Sequence, residues 1–472
     1  MVARHRGRPA RRGRGRRLHR RGPYGGGAMT ATRGGGAADA LQRITAAPLG
    51  RYQSAVVRIG FAGTWLFFLL REFPHRHELY GPEGPWSWEL GRRLIARNDS
   101  FTVLMWTDSG LWFETVYLVS VLSSVLLMLG WRTRAMSVVF MVGVLSLQNR
   151  SIFMGDGGDN VIHLMAIYLV MTRCGRVWSL EARAAARRKA GEEAQAPAGP
   201  GPGPDRAESG LEPGPGTGPG PELDRAESEP EPEPEPDRAG PGPGTDYAEP
   251  EPDRVGPVLW SVLGFLLITG TFLNEKGWPV LLLLWGLWAG HGLWWLVNRY
   301  APDSQPHILL DAVANLLHNA ALLVIMVEVC LIYATAGWYK VQGSRWQDGT
   351  ALYYPLNLDY FTPWPALSGL LASGGVMVMV LTYVTVIVQV AFPFTLFNRP
   401  LKNVLLVFMM LEHAAIAVVL GLPFFSLAMI AADAVFLPTV FLVWLGARAA
   451  AGRKRLLSRS RPSGSEAPAP AP

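Results

Sequence analysis

Two cysteines in 472 residues cannot build a disulfide framework, and charged side chains make up only 17% of the chain. Neither an HExxH pair nor a paired Cys-x-x-Cys occurs anywhere, so no metal site is expected. Ten-residue stretches of alternating apolar and polar side chains, the mark of a membrane β-barrel, are missing as well. Residues 1–28 hold ten Arg and no acid, and no apolar stretch follows them directly, so they do not read as a signal peptide. What the chain does have is seventeen Trp, fifteen Met and several apolar runs near 20 residues. Those features fit membrane spans, and a soluble α/β enzyme, a coiled coil or a secreted disulfide scaffold fits them poorly.

The averages hide a partitioned chain. The net charge of +7 combines the ten N-terminal Arg, a segment 205–254 with 15 acids against four Arg, and a remainder of +8. A mean hydropathy of +0.16 is an apolar body diluted by polar segments. Met29-Thr-Ala-Thr reads as a second start, so residues 1–28 are either an upstream start-site artefact or a disordered basic arm. No nucleic-acid partner is expected.

Hydropathy places about ten helices, near 54–70, 112–130, 135–149, 160–173, 257–273, 279–297, 309–333, 369–392, 402–420 and 424–446. The third and fourth are short for a hydrocarbon core of about 30 Å, which leaves tilted or partly re-entrant placement open. With ten helices threaded, the short-loop cations fall on one face. They are Arg51, the Arg132/Arg134 turn, the group from Arg173 to Lys189, Arg299, Arg399/Lys402 and the tail from Arg448. That face should be cytoplasmic, with both termini inside a plasma-membrane protein. The opposite side receives 71–111, 150–159, 274–278, 334–368 and 421–423.

The expected organisation is a basic arm 1–50, a first membrane half 51–178, a linker 179–256, an extra hairpin 257–297, a second membrane half 298–446 and a polar tail 447–472. Residues 191–257 hold 30 of the 89 Gly plus Pro, and Pro-Asp-Arg recurs at 204–206, 236–238 and 252–254. Such a segment buries too little apolar surface to offset its ordering entropy and reads as a disordered tether. The fold class is therefore an all-α polytopic bundle, since unpaired backbone cannot face lipid.

Ionisable groups within apolar helices are costly and draw attention. Asp159 and His163 stand four residues apart with Asn160 beside them, so one turn aims a carboxylate, an amide and an imidazole to one side. A capped helix start with a hydrogen-bonded interior histidine would explain them equally. The preceding Gly155–Gly158 turn would let backbone approach a ligand closely. Asp311, Asn315 and His318 share one face of the seventh helix and could either glue helices or line a cavity, with Glu328 deeper. Glu412, His413 and Asp433 carry the same two readings.

The most informative stretch is Tyr333-Ala-Thr-Ala-Gly-Trp-Tyr-Lys340-Val-Gln-Gly-Ser-Arg-Trp346-Gln-Asp-Gly-Thr-Ala351, expected to close the seventh helix and enter a loop. A lysine at a membrane boundary commonly snorkels to headgroups. Held among aromatic side chains, its neutral amine is a usable general base.

This stretch, together with Asn149-Arg150…Gly157-Gly158-Asp159-Asn160 and Gly421-Leu-Pro-Phe-Phe-Ser-Leu-Ala-Met-Ile, resembles the horizontally transferred transmembrane domain. That domain is the membrane part of vitamin-K-dependent γ-carboxylase, and the resemblance covers about 51–178 and 305–446. It implies that Lys340 is the base that deprotonates a reduced quinone of the vitamin K or menaquinone type. In that family oxygen then adds, the quinone becomes an epoxide, and carbon dioxide captures the carbanion of a substrate Glu. It places Asp159, Asn160 and His163 near the quinone site, with Trp338, Tyr339 and Trp346 as walls for its ring. The implied partners are the bilayer and a secreted peptide or Glu-containing substrate. Large exoplasmic substrate-holding portions of the eukaryotic enzyme have no counterpart in this sequence, and the 257–297 hairpin has no match in the family. A non-catalytic accessory factor for peptide maturation or export is the alternative. A transporter would need repeated halves, and the two halves show no obvious self-similarity.

Overall fold

A computed structural model describes residues 35–151, 153–195, 255–273 and 278–459. The basic arm 1–28, most of the linker (196–254), the 274–277 turn and the tail beyond 459 lie outside the described residues. The chain divides into two compact units, Met1–Arg43 and Ile44–Pro472. In the first, the described residues open the helix Gly35–Ala46. Everything below concerns the second.

Every regular element among the described residues is helical. The principal helices are α1 Arg51–Glu72, α2 Gly110–Leu129, α3 Thr133–Arg150, α4 Gly157–Val170, α5 Val255–Leu273 and α6 Trp278–Tyr300. They continue with α7 Gln305–Gln342, α8 Gly375–Ala391, α9 Arg399–Val419, α10 Pro423–Asp433 and α11 Thr439–Arg459. Seven helical segments, those containing α1, α2 and α5 to α9, are long and apolar enough to cross a bilayer. An eighth is a pair, Pro423–Phe436 with Thr439–Arg453, bent by 117°. The sequence reading of one straight span over 424–446 missed that bend. Pro438 lies between the two pieces, lacks a backbone N–H and disfavours helical backbone at Leu437, which is extended.

Helices α3 and α4 are not among the eight. At 14 residues α4 is about 21 Å long, short of a 30 Å core. Both are instead well buried, with Met141, Val144, Leu147, Met165 and Ala166 fully enclosed. Helix α2 packs on α1 and α3, and α3 packs on α4. From the far end of the chain, α10 inserts against both α1 and α4. Sequence-distant helices thus share one core around Phe61, Trp65, Phe140 and Met429.

Two arginines sit inside this core because each is held by backbone carbonyls. The Arg58 guanidinium donates to Leu127 and Met128 at the end of α2 and to Trp178. Arg150 donates to the carbonyls of Gly81 at 2.9 Å and Trp86 at 2.7 Å, fastening that loop to α3. Such bonds satisfy helix-end and loop acceptors that would otherwise be orphaned.

The hairpin α5–α6 lies at the periphery. Its helices are clasped by Trp260 and Trp288, whose rings stack at 4.1 Å. Each indole N–H donates to the other tryptophan's carbonyl, at 3.0 and 3.1 Å.

The 38 residues of α7 make it about 57 Å long. Sequence reading stopped this helix near 333. No proline follows before Gly343, and the helix continues two further turns to Gln342. Lys340 is therefore on its last turn rather than in a loop. It lies 22 residues, about 33 Å, from His318 on the same helix. The two groups sit near opposite ends of the bundle.

Candidate functional site

Lys340 does not stand alone. Its Nζ donates to Gln389 Oε1 on α8 at 2.6 Å, and Gln389 Nε2 donates to Glu412 Oε1 on α9 at 2.5 Å. Nζ also lies 5.3 Å from the ring centroid of Trp346. Three helices and one loop therefore meet at this amine. Gly337 lies three residues before Lys340. A Cβ there would come 2.7 Å from Val390 Cγ2, so a larger residue would require the Val390 side chain to shift.

Trp346 is positioned by the loop that follows α7. Gln347 Nε2 donates to the Val341 carbonyl at 2.9 Å, and the Tyr383 hydroxyl donates to the Gln347 carbonyl at 2.8 Å. Asp348 Oδ1 accepts from the Thr350 hydroxyl and from its N–H. Those hydrogen bonds, with a lesser contribution from Arg345, hold the exposed Asp348 carboxyl below the usual aspartate range. The Gln-Asp-Gly-Thr run thus braces the loop that holds Trp346 over Lys340.

Two turns back along α7 lies a second polar group. The Tyr333 hydroxyl donates to Asp433 Oδ1 at 2.9 Å and stands 3.0 Å from His413 Nε2. One hydroxyl has one proton, so Nε2 of His413 carries hydrogen and donates to Tyr333. Tyr333 is 1% exposed, His413 2% and Asp433 0%. Phe392 and Phe425 pack edge-on against this group. Glu412 Oε2, His413 Nδ1 and Asp433 Oδ2 are buried without a hydrogen-bond partner. Three spare polar atoms on neighbouring side chains leave room for hydrogen bonds to a bound group.

Sequence reading flagged Lys340, Glu412, His413 and Asp433 separately, and the fold brings them into one region. Gln389 and Tyr333 were missed as partners. Gln389 lies in an uncharged Val-Thr-Val-Ile-Val-Gln-Val run, where the one amide is the signal that could have been read.

Asp159, Asn160 and His163 line a separate cleft of about 150 Å³, with Phe68, Tyr80, Gln148 and Asn149 among its walls. Asp156 caps α4 by accepting from Gly158 and Asp159 N–H groups, and Asp159 Oδ2 accepts the Asp156 N–H at 2.8 Å. His163 Nδ1 lies 3.0 Å from Gln148 Oε1, and Gln148 Nε2 donates to the Asp159 carbonyl at 2.9 Å. Sequence reading expected the Gly155–Gly158 turn to admit a ligand; at Gly158 it is protein that comes close, since a Cβ there would lie 2.6 Å from Phe425 Cα. Helix α10 begins between the two sites. Phe424 packs on Phe68 at 5.7 Å and Phe425 on His413 at 5.6 Å.

Trp338 and Tyr339 face outward, 62% and 74% exposed, away from the Lys340 network, whereas Trp346 joins it. The Asp311–Asn315–His318 stripe binds helices together. Arg173 reaches Asn315 and Asp311, its N–H donates to His318 Nδ1 at 2.8 Å, and His318 Nε2 donates to the Leu49 carbonyl at 2.7 Å. Both ring nitrogens of His318 are used. Glu328 accepts from the Tyr168 hydroxyl at 3.2 Å. Among the described residues no group of three His, Cys, Asp or Glu could hold a metal ion, and Cys174 and Cys330 are both free.

Neither a protein-family model, nor a curated protein, nor a solved structure matches this chain.

Proposed function

We propose that this chain is an integral membrane enzyme whose Lys340 acts as a general base on the hydroxyl of a reduced quinone, as its resemblance to the γ-carboxylase membrane domain implies. The observation that carries the reading is the hydrogen-bonded series Lys340–Gln389–Glu412 beneath Trp346 at the end of a long apolar helix. The donor set suits a flat, hydroxyl-bearing ligand: an aromatic face, an amine and three buried polar atoms with spare capacity.

A reduced quinone, when bound, supplies an ionisable hydroxyl and the electrons that react with oxygen. Lys340 takes the hydroxyl proton at Nζ. Gln389 keeps Nζ oriented, because its amide oxygen faces the amine and its NH₂ faces Glu412. The Glu412 carboxylate, one amide away, offsets the ammonium formed at Lys340. Trp346 covers the amine and excludes water. A peptide glutamate is the second substrate that the resemblance implies. If the short helices α3 and α4 also cross, tilted, beside the eight longer or bent spans, the chain makes ten crossings of the plasma membrane. Both termini are then cytoplasmic, on the side of the short-loop arginines.

The test is quinol-dependent epoxide formation in membranes carrying wild type or Lys340→Ala at matched expression. A positioned base contributes about 10²- to 10⁴-fold, and a loss of that size is expected. Equal turnover in the two would remove Lys340 from the chemistry.

A further inference from the structure

At the opposite end of the bundle from Lys340, the fold gathers more positive charge than it neutralises. Arg173 follows α4 with its side chain only 7% exposed, paired with Asp311 at 3.0 Å and with Asn315 at 2.5 Å. Its Nε is nonetheless buried without a partner. Trp294 of α6 lies against two guanidinium groups, with Arg134 Cζ 4.7 Å and Arg173 Cζ 5.5 Å from its ring centroid. Arg134 and Arg176 are both within electrostatic reach of Arg173 and of each other.

Two acids lie nearby. Asp311 holds Arg173, and Glu181 accepts the Thr133 N–H at 2.7 Å and its hydroxyl at 2.9 Å. Asp311 and Glu181 attract Arg134 and Arg176 electrostatically, but among the described residues neither guanidinium has a hydrogen-bond acceptor or an acid within salt-bridge distance. Three guanidiniums in mutual reach repel one another, and Asp311 and Glu181 offset only part of that charge. An anion between them would turn that repulsion into attraction. Fork-shaped donors beside a tryptophan at an apolar boundary suit a phosphate with lipid attached.

Resting on the membrane reading but not on Lys340, we infer that Arg134, Arg173 and Arg176, with Trp294 as platform, form a binding site for a phosphate group, supplied by an anionic lipid headgroup or as free phosphate. The hairpin α5–α6 then has a role, because it brings Trp294 to the arginines.

The experiment uses the full chain purified in neutral detergent. Native mass spectrometry and thermal melting follow the addition of phosphatidylglycerol, phosphatidylcholine or inorganic phosphate. Phosphatidylglycerol should be retained and should raise the melting temperature, with phosphatidylcholine far weaker. At about 1 kcal/mol for each arginine near such a headgroup, Arg134→Gln and Arg176→Gln should each weaken retention about fivefold and together about 25-fold. Arg134→Lys and Arg176→Lys, which keep the charge, should lose less and show that the Gln variants failed through charge rather than folding. Stabilisation by inorganic phosphate, with no lipid retained, would support the site and assign its ligand as the free anion. Equal retention of the two lipids by wild type, or unchanged phosphatidylglycerol retention in the double Gln variant, would overturn the inference. Lys340→Ala should retain lipid like wild type, so loss of turnover and loss of this site are read separately.

Discussion

Gln389 decides what Lys340 and Glu412 present to each other. With its oxygen toward Nζ and its NH₂ toward the carboxylate, both bonds form; reversed, donor would face donor and acceptor would face acceptor. Gln389→Leu keeps the approximate volume and removes the hydrogen-bond partner of both the Lys340 amine and the Glu412 carboxyl group. Each group left unsatisfied in a buried setting costs about 1–3 kcal/mol, so a lower melting temperature is expected together with a turnover loss approaching that of Lys340→Ala. A variant that melts lower yet turns over normally would confine Gln389 to a structural role. The sequence made the costly members of this network visible one at a time, because a Lys, a Glu, a His and an Asp in apolar helices each demand a partner. It could not pair them. Lys340 and Gln389 are far apart along the chain, and only the packing of α7 on α8 joins them.

The same limit holds at the level of elements. Apolar runs located nearly every principal helix, and run length set the short α3 and α4 apart from α8, but it did not show that α4 is enclosed by its neighbours while α8 keeps an exposed apolar face. That difference depends on what surrounds a helix, which periodicity does not encode. The apolar run that located α7 ends near 333, whereas the helix itself continues to Gln342. In the fold Gly337 is a contact point with Val390. Gly158 offers a cleaner test of element packing. It sits in the first turn of α4, where a Cβ would meet Phe425 Cα at 2.6 Å and its N at 3.2 Å. Those are backbone atoms, which cannot rotate away as a side chain does. Gly158→Ala should therefore push α10 from α4 at a cost of about 1–3 kcal/mol, despite alanine's better helix propensity. Thermal unfolding checks this, and a melting temperature at or above wild type would mean that α10 yields freely.

At the scale of the whole molecule, the helices before and after the Pro/Gly-rich segment form one core. Helix α10, late in the chain, packs on α1 and α4 from the beginning. Gln53 near the start of α1 donates to the Leu437 carbonyl at 2.8 Å and to the Thr439 hydroxyl at 3.0 Å. Asn319 donates to the carbonyls of Ile44 and Ala47 and accepts the Leu49 N–H at 2.7 Å. Arg173 ties the first half to Asp311 and Asn315 of the second. These contacts cross the Pro/Gly-rich segment in sequence and do not use it. The covalent connection mainly raises the effective concentration of one half for the other, and within a bilayer that advantage is partly replaced by confinement to the plane. Co-expressed pieces 1–195 and 255–472 should therefore assemble, so that a tag on the first retains the second through purification. Substituting Gln53 and Asn319 together by Leu should weaken that retention, because carbonyls on both sides, some of them part-buried, lose their donors. If the pieces fail to associate while each still inserts in the membrane, the core shared by α1, α4 and α10 does not hold the halves together unaided, and the tether is structurally required.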